Sequence, residues 1–415
     1  GLAAAGAQDA LNKASSSVVY NIVGHSYKLK DGKVEKIDLK NGTELTVKTP
    51  ADFVPNIDTL RNMQISKMKF ADTPAEFTLP DNPPYGSAQL YEKVAGKFLL
   101  KYGNDYKNSV YEDDTHKFTV TGADTGKYTL TETKDGKKVS VEIQYREPTG
   151  STVLKTVKYE DDGTTVKSVD MVDQEGKDND VVTVTKGETG VVNGRTIGIK
   201  DVNAGKVSFK GIEKIYVSSD EALDGKGLDY LNKSGAKEIK LSSNLTLKNE
   251  GDGTLDLGKI KYGNYKLTIE TGNTKSDTIK FGTEIAGDKL NINGFEQTQD
   301  KVDFSALGAT EKGVNKVASD AGKELENGKI YTTDVAGNID ENDYANGDFG
   351  QLFGNGKTFK TITANGKSIV AVKGNDVTKV YQVNDANHNG TIDSNEVKLV
   401  GTFESNVELG DANIA

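Results

Sequence analysis

Residues 255–304, LDLGKIKYGNYKLTIETGNTKSDTIKFGTEIAGDKLNINGFEQTQDKVDF, contain five short triplets of an apolar, a polar and an apolar residue. The triplets begin at Leu255, Leu267, Ile279, Leu290 and Val302, and these starting positions are almost evenly spaced. Alternation of this kind places two apolar side chains on one face of a short strand and the polar one on the other. Gly, Asn and Asp fill the gaps, as is typical of turns.

Three earlier triplets extend the pattern, so that residues 206–304 form a region of short-strand repeats. They begin at Ile215, Ile239 and Leu245. A regular period of short strands is typical of a β-solenoid or β-roll, in which each rung buries its face against its neighbours. An ordinary antiparallel sheet with short loops fits the same spacing, and both architectures stay open. The complete glycine-rich nonapeptide of calcium-binding β-rolls is absent.

The preceding region, residues 106–205, predicts an antiparallel β domain, either a sandwich or a meander. Thr, Val and Tyr alternate in six segments, which is typical of half-buried strands. The segments are HKFTVTG, GKYTLTET, KKVSVEIQY, TVLKTVKYE, TTVKSVDMV and DVVTVTKG.

Residues 1–105 predict a mixed α+β segment. Short helices are expected at 8–15, 58–68 and 88–99, where apolar residues lie near helical spacing. Residues 18–47 predict strands, because Asp-Gly and Asn-Gly dipeptides within them are hairpin signals. The fold class expected for the whole chain is therefore mainly β.

The last region, residues 305–415, contains a metal-binding pattern. Residues 385–396, DANHNGTIDSNE, match the calcium loop D-x-[DN]-x-[DN]-G-x5-E at every defined position. Calcium prefers six to eight oxygen ligands at roughly 2.3–2.6 Å. The ligands expected are side-chain oxygens of Asp385, Asn387, Asn389, Asp393 (directly or through water) and Glu396 (two oxygens), and the carbonyl of Thr391. A polar hairpin loop without a metal is the alternative.

The flanks of this loop predict strands, whereas an EF-hand has helices there. Val380–Val383 precedes the loop and residues 397–403 follow it, and both stretches are rich in β-branched and aromatic residues. Without a helix pair that could open, a calcium clip that stabilises a β structure is expected rather than a sensor. His388 occupies a position whose side chain points away from the metal, so it is expected to be a bystander.

A second acidic stretch, DVAGNIDENDYANGD at residues 334–348, is the other candidate for a cation site. Its candidate ligands are Asp340, Asn342, Asp343 and Asp348, and Asp334 and Asn338 could add oxygens. Their spacing matches no known template, which favours a solvated loop.

The composition excludes several classes of function. The 415 residues carry a net charge of −10, and of 52 basic residues only Arg61, Arg146 and Arg195 are arginine. Since a basic stripe and bidentate phosphate donors are lacking, no nucleic-acid partner is expected. No stretch approaches the ~18 apolar residues of a membrane span, so no membrane insertion is expected. The three histidines are isolated, and no nucleophile elbow or P-loop occurs, so an enzyme is not expected.

The C-terminal region has an excess of carboxylates. Residues 301–415 contain 11 Lys and 17 Asp or Glu, a balance of −6, against −4 for the first 300 residues. This excess fits a cation-binding module and equally an ordinary soluble surface. The chain has no cysteine. In an extracellular protein calcium can replace disulfides as a cross-link, because it binds only the folded form.

The C-terminal third resembles bacterial surface-layer proteins and related repeat-toxin-like proteins exported by type I secretion. The resemblance covers about residues 277–415 and is most specific at 300–309 and 380–402. The segments that carry it are SDTIKFG, GDKLNINGF, DKVDFSALGA and KVYQVNDANHNGTIDSNEVKLVGTFESNVELGDANIA.

The resemblance implies a secreted structural protein at the cell surface that needs Ca2+ and assembles with itself into a two-dimensional lattice. It implies an uncleaved C-terminal export signal, which agrees with the absence of signal-peptide features in residues 1–17. Lipopolysaccharide or another surface glycan is the partner implied for anchoring. The alternatives are a type I secreted monomeric adhesin or a non-catalytic part of an extracellular hydrolase.

Overall fold

Between residues 19 and 121, the computed structural model describes only the backbone of the individual strands. Beyond them it describes residues 128–146, 152–173, 180–191, 194–249, 251–272, 275–337, 339 and 350–415. Strands predominate in the structure, and the described residues contain two α-helices. Within the described residues, the strands form several sheets, none of which closes on itself. The prediction of a mainly β protein is therefore confirmed.

Contacts divide the chain into two compact units, Gly1–Lys177 with Val191–Arg195 and Asp178–Gly190 with Thr196–Ala415. The strands of the first unit are β1 (Val19–Ile22), β2 (His25–Lys30), β3 (Lys33–Ile37), β4 (Glu44–Val47), β5 (Lys67–Phe70), β6 (Glu76–Thr78), β7 (Tyr91–Val94), β8 (Lys97–Leu100), β9 (Val110–Glu112), β10 (His116–Thr121), β11 (Tyr128–Lys134), β12 (Lys137–Arg146), β13 (Thr152–Tyr159) and β14 (Val166–Asp173).

Nine strands of the first unit follow one another in a sheet, in the order β14-β13-β12-β11-β10-β9-β6-β5-β4. The neighbours from β5 to β14 are antiparallel, whereas β4 and β5 are parallel. Val141, Val157 and Val169 lie opposite one another on three neighbouring strands, and all three are buried. Alternation of Val with polar residues therefore gives this sheet one apolar face.

The described residues of 1–105 form strands only, so the helices predicted there need correction. The helix predicted at 88–99 is wrong, because β7 and β8 pair as antiparallel strands in its place. Tyr, Val and Phe favour extended backbone, and their spacing matched a helical face only by coincidence. Of the helix predicted at 58–68, the structure describes Lys67 and Met68, which belong to β5. The helix predicted at 8–15 lies outside the described residues.

The second unit contains the remaining elements. They are β15 (Val181–Thr185), β16 (Thr196–Gly198), α1 (Ile199–Asn203), β17 (Val207–Lys210), β18 (Lys214–Ser218), β19 (Leu223–Asp224), α2 (Gly225–Asn232), β20 (Glu238–Leu241), β21 (Leu245–Lys248), β22 (Gly253–Asp256), β23 (Ile260–Lys261), β24 (Leu267–Glu270), β25 (Asp277–Lys280), β26 (Leu290–Asn293), β27 (Lys301–Asp303), β28 (Val314–Lys316), β29 (Lys323–Leu325), β30 (Ile330–Asp334), β31 (Phe359–Ile362), β32 (Lys367–Lys373), β33 (Thr378–Asn384) and β34 (Val397–Phe403). Short 3-10 helices cover Gly287–Lys289, Ser305–Leu307, Ser394–Glu396 and Asp411–Asn413.

The short strands of this unit pair in parallel in three ladders. The first ladder is β16-β15-β18-β20-β23, the second runs β19-β21-β24-β26, and the third is β22-β25-β27. From β20 to β25 the chain visits the first, second and third ladders in turn, twice. Parallel pairing rules out the antiparallel sheet considered for residues 206–304.

The even spacing of the triplets has a structural explanation. Leu255, Ile279 and Val302 lie in register along the third ladder, while Leu267 and Leu290 lie in register along the second. The step from one triplet to the next therefore leads from one ladder to another. A return to the same ladder takes two such steps, as it does from Leu267 to Leu290.

The segment DVVTVTKG was predicted as an antiparallel strand, and this was wrong. Its strand β15 pairs in parallel with β16 and β18 in the second unit. Val182 and Val184 are buried and their neighbours are half-buried. This alternation is the same for a parallel and an antiparallel strand, so it could not reveal the direction of pairing.

The second ladder continues without a break into the C-terminal region. β26 pairs in parallel with β34, so that Ile292 lies opposite Phe403. The strands β34-β33-β32-β30-β28 complete a sheet of nine strands. β33 is antiparallel to both of its neighbours, while β28, β30 and β32 are parallel. The regions 206–304 and 305–415 therefore share one sheet.

Aromatic side chains fill the core under this sheet. Phe359, Tyr331 and Phe353 are buried completely or nearly so. The ring of Phe359 lies 5.8 Å from that of Phe353 and 5.9 Å from that of Tyr331. Ile392 and Val397, which belong to the calcium-loop pattern and its flank, pack in the same cluster. The loop is therefore attached directly to the core.

Residues 405–415, which we call the C-terminal strap, cover the end of the third ladder. Ile414 forms a parallel bridge with Val302, and the Ala415 N–H donates to the Val302 carbonyl at 2.9 Å. The Asn413 amide donates to the carbonyls of Gln297 at 2.7 Å and Asp300 at 3.0 Å. These contacts give partners to backbone carbonyls in β27 and in the segment just before it.

The two helices are short and locally specified. Asp224 accepts the Gly227 N–H at 2.7 Å and so caps α2, whose Leu228 and Leu231 are buried. In the part of the chain that the structure describes, neither helix has the length and hydropathy of a membrane-spanning segment.

Gly198, at the end of β16, is a sensitive position. A Cβ there would lie 2.3–2.5 Å from backbone atoms of Gly187, Glu188 and Thr189. Gly198→Ala should therefore destabilise the second unit by roughly 1–3 kcal/mol, as overpacking does. Gly190→Ala is the control, because no atom lies within 4 Å of a Cβ at Gly190. Urea unfolding should show a lower midpoint for Gly198→Ala, and equal midpoints would contradict this.

Candidate functional site

The loop of residues 385–396 connects β33 to β34. These strands are antiparallel, and Val383 lies opposite Val397 directly beside the loop. The strands on both sides agree with the prediction of a strand–loop–strand arrangement. Only one short 3-10 helix, Ser394–Glu396, interrupts the loop before β34 begins.

Asp385 opens the loop, and its two carboxylate oxygens have different surroundings. The residue is 1% exposed. Its Oδ2 accepts the backbone N–H groups of Asn365 at 2.9 Å and Gly390 at 3.1 Å. Its Oδ1 is buried and has no hydrogen-bond partner. A buried carboxylate oxygen without a donor is unfavourable, so Oδ1 has an unused capacity to bind a cation or donor.

The pKa of Asp385 lies below its ordinary value. Burial alone would raise the pKa, but the backbone N–H groups of Asn365, Gly390 and Asn389 and the nearby His388 outweigh it. Asp385 is thus held as a carboxylate in the form that a cation needs.

Glu396 closes the loop and is buried. Its Oε1 accepts the Asp393 N–H at 2.9 Å, and its Oε2 accepts the Asn387 N–H at 3.4 Å. The Glu396 N–H in turn donates to the Asp393 backbone carbonyl at 3.0 Å. Both oxygens of Glu396 therefore face the loop backbone.

Three further predicted ligands lie together on the exposed side of the loop. The Asn387 amide donates to Asp393 Oδ2, and the Asn389 amide nitrogen lies 3.4 Å from the same oxygen. The amide oxygens of Asn387 and Asn389 accept the N–H groups of Asn389 and Thr391. Rotation of these two amides would present oxygens in place of nitrogens beside Asp393.

The other loop residues fit the pattern in simpler ways. Gly390 has φ 72°, a left-handed conformation that favours glycine and gives the sharp turn of such loops. Thr391 is exposed, and its backbone N–H donates to the Asn389 amide oxygen at 2.9 Å. His388 is also exposed and has φ 63°.

The sequence did not reveal that a second segment, residues 362–366, holds the loop. The Ile362 N–H donates to the Gly390 carbonyl at 3.1 Å, and the Asp385 N–H donates to the Gly366 carbonyl at 3.0 Å. Together with the bond from the Asn365 N–H, these contacts fix both ends of the first half of the loop. The Asn-Gly dipeptide at 365–366 predicts a turn, but it does not reveal that this turn contacts residues 385–396.

The second predicted cation stretch lies largely outside the described residues. This holds for Asp340, Asn342, Asp343 and Asp348, and for Asn338. Asp334 is described, and its carboxylate lies 3.8 Å from the Lys316 ammonium.

Across the described ranges, no three His, Cys, Asp or Glu side chains come together as a metal-binding cluster. In the loop, by contrast, half of the six predicted ligands are amide or carbonyl oxygens of Asn387, Asn389 and Thr391. Such a mixed oxygen set is the kind that calcium accepts.

Comparisons of the chain with protein-family models, with curated proteins and with solved structures returned no match.

Proposed function

We propose that this protein is a secreted, calcium-dependent structural protein that forms a surface layer on a bacterial cell. Calcium bound at residues 385–396 would stabilise the folded and assembled form. Neither catalysis nor a nucleic-acid partner is part of the proposal.

The asymmetry of the Asp385 carboxylate is the observation that supports calcium binding best. An aspartate that binds calcium through one oxygen leaves its other oxygen free to accept a backbone N–H. Here the Gly390 N–H binds Oδ2, and Oδ1 is buried without a partner. A cation at Oδ1 would remove the cost of that unsatisfied oxygen.

The remaining predicted ligands complete the oxygen set. Asn387, Asn389 and Asp393 already lie within contact of one another, and Glu396 is held at the far end of the loop. Asp385, Asp393 and Glu396 together carry three negative charges. A divalent cation bound by these groups would balance part of this charge and join the two ends of the loop.

Linkage connects this site to folding. Calcium at 100 times its dissociation constant would add about 2.7 kcal/mol to the stability of a form that alone binds it. A domain has a net stability of roughly 5–15 kcal/mol. In the low-calcium cytosol the chain would remain less stable and competent for export. Outside the cell, calcium would favour the folded form.

We further propose that the three parallel ladders are the faces of a β-solenoid or β-roll. The alternating visits of the chain to the ladders support this architecture, as does the register of Leu267 with Leu290. The resemblance of residues 277–415 to type I exported surface-layer proteins supports an extracellular location. It also supports self-assembly and a surface glycan such as lipopolysaccharide as the anchor.

Electron microscopy of the full chain with and without calcium tests this function. We expect ordered two-dimensional arrays in millimolar calcium and dispersed particles after chelation, because calcium stabilises the form that assembles. Light scattering should fall in parallel. Dispersed monomers in both conditions would contradict the lattice and favour the monomeric adhesin.

A further inference from the structure

We propose that Asp277 and Asp300 form a proton-binding pair that makes the third ladder more stable in mild acid than at neutral pH. Asp277 begins β25, and Asp300 immediately precedes β27, the next strand of the same ladder. Both residues are fully buried. This pair lies outside the calcium loop and has no part in the proposed function.

The Asp300 carboxyl joins neighbouring strands of the ladder, whereas the Asp277 carboxyl is held by Gly272 and Asn249. The Asp277 N–H donates to Asp300 Oδ1 at 2.9 Å, and the Glu296 N–H donates to Asp300 Oδ2 at 2.7 Å. Asp277 accepts the Gly272 N–H on Oδ2 at 3.1 Å and the Asn249 amide on Oδ1. Each carboxyl oxygen of the pair therefore has one donor.

The charges around Asp277 are negative. Besides burial, the carboxylates of Asp300 and Asp252 raise the pKa of its carboxyl. Asn249, which contacts Asp277, also lines a cavity with Asp252, Lys226 and Lys275. Lys226 and Lys275 line the cavity, whereas the charged groups that shift the pKa of the buried Asp277 carboxyl are carboxylates.

Burial and the neighbouring Asp300 raise the pKa of Asp277 from 3.8 to about 6. Both oxygens of Asp300 accept backbone N–H groups, whereas one oxygen of Asp277 is held only by the side-chain amide of Asn249. Asp277 is therefore the group that takes up the proton. Its new O–H can donate to Asn249 once that side-chain amide turns its oxygen inward.

The sign of the effect on stability follows from the direction of the shift. The folded ladder holds this proton more tightly than the unfolded chain does, so protonation favours the folded form. The stabilisation is present at low pH and is lost as the pH rises through about 6. Most acidic groups in folded proteins act in the opposite direction.

Hydrogen exchange by mass spectrometry, on peptides that contain β25 and β27, tests the pair. The protein is kept in chelator, and rates are corrected for intrinsic exchange. Opening of these strands should be roughly tenfold less frequent at pH 5.0 than at pH 7.5, as linkage predicts for a rise in pKa from 3.8 to about 6. Asp277→Asn should remove this dependence.

Asp256→Asn is the matched control, because Asp256 lies in β22 of the same ladder and its Oδ1 accepts the Gly258 N–H near the surface. This variant should keep the full pH dependence. Should Asp277→Asn fail to fold, carbon NMR of labelled Asp carboxyl groups in the unmodified protein provides the second measurement. One Asp signal should titrate near pH 6.

Three results would overturn the proposal. The first is an unchanged pH dependence in Asp277→Asn, and the second is the absence of any Asp carboxyl that titrates above about pH 5. The third is that added calcium, at pH 7.5 in a Glu396→Gln variant, slows exchange of β25 as much as lowering the pH to 5.0 does. The last result would mean that the pair binds a metal rather than a proton.

Discussion

Glu396→Ala should lower the calcium affinity of the loop by about 100-fold or more. The substitution removes two oxygens at once, and each loss of ~1.4 kcal/mol in binding free energy is a tenfold change in affinity. It also removes the acceptors of the Asp393 and Asn387 N–H groups, so the loop without metal should loosen as well. Titration calorimetry with calcium chloride measures the affinity.

Two companion variants separate these effects. Glu396→Gln keeps one acceptor oxygen for the loop backbone and should lose calcium affinity while disturbing the metal-free fold less. Glu404→Ala changes an exposed carboxylate after β34 and should bind calcium like the unmodified protein. If Glu396→Ala retained the original affinity, the assignment of the metal to this loop would be refuted.

Phe359→Ala should destabilise the second unit by about 3–5 kcal/mol, the range for truncation of a buried aromatic residue. The ring has no exposed surface and contacts Phe353 and Tyr331, so its removal leaves a cavity between β31, β30 and the loop before β31. Urea unfolding followed by circular dichroism measures the loss.

Tyr265→Ala is the control for this prediction, because Tyr265 is an aromatic residue of the same unit with 39% of its surface exposed. Its removal should change stability by less than about 0.5 kcal/mol. Equal losses in the two variants would mean that Phe359 is not part of a tightly packed core.

The short strands of the second unit could be predicted from sequence because their signal is local. Leu255, Ile279 and Val302 each begin a triplet that shows the alternation of a buried strand by itself. Which strands pair could not be predicted, because strands of other ladders lie between two parallel partners along the chain. The same limitation explains the error at β15.

The calcium pattern could be recognised because its six predicted ligands lie within one short, continuous loop. The contribution of residues 362–366 could not, because the Asn365 N–H reaches Asp385 from a separate turn upstream. Backbone donors also carry no side-chain signature. The pairing of Asp277 with Asp300 was missed for a related reason, since two acidic residues so far apart in sequence are unremarkable in a chain with 62.

The pairing of β26 with β34 has a consequence for the speed of folding. Next to these two strands, the Gln297 side chain forms hydrogen bonds with the Glu408 backbone. The two residues are 111 positions apart in the sequence. Closing so long a loop loses chain entropy before any hydrogen bond forms in return. We therefore expect the hairpin of β32 and β33 and the individual rungs to form early. The pairing of β26 with β34, which joins the two halves of the nine-stranded sheet, should then limit the rate of folding.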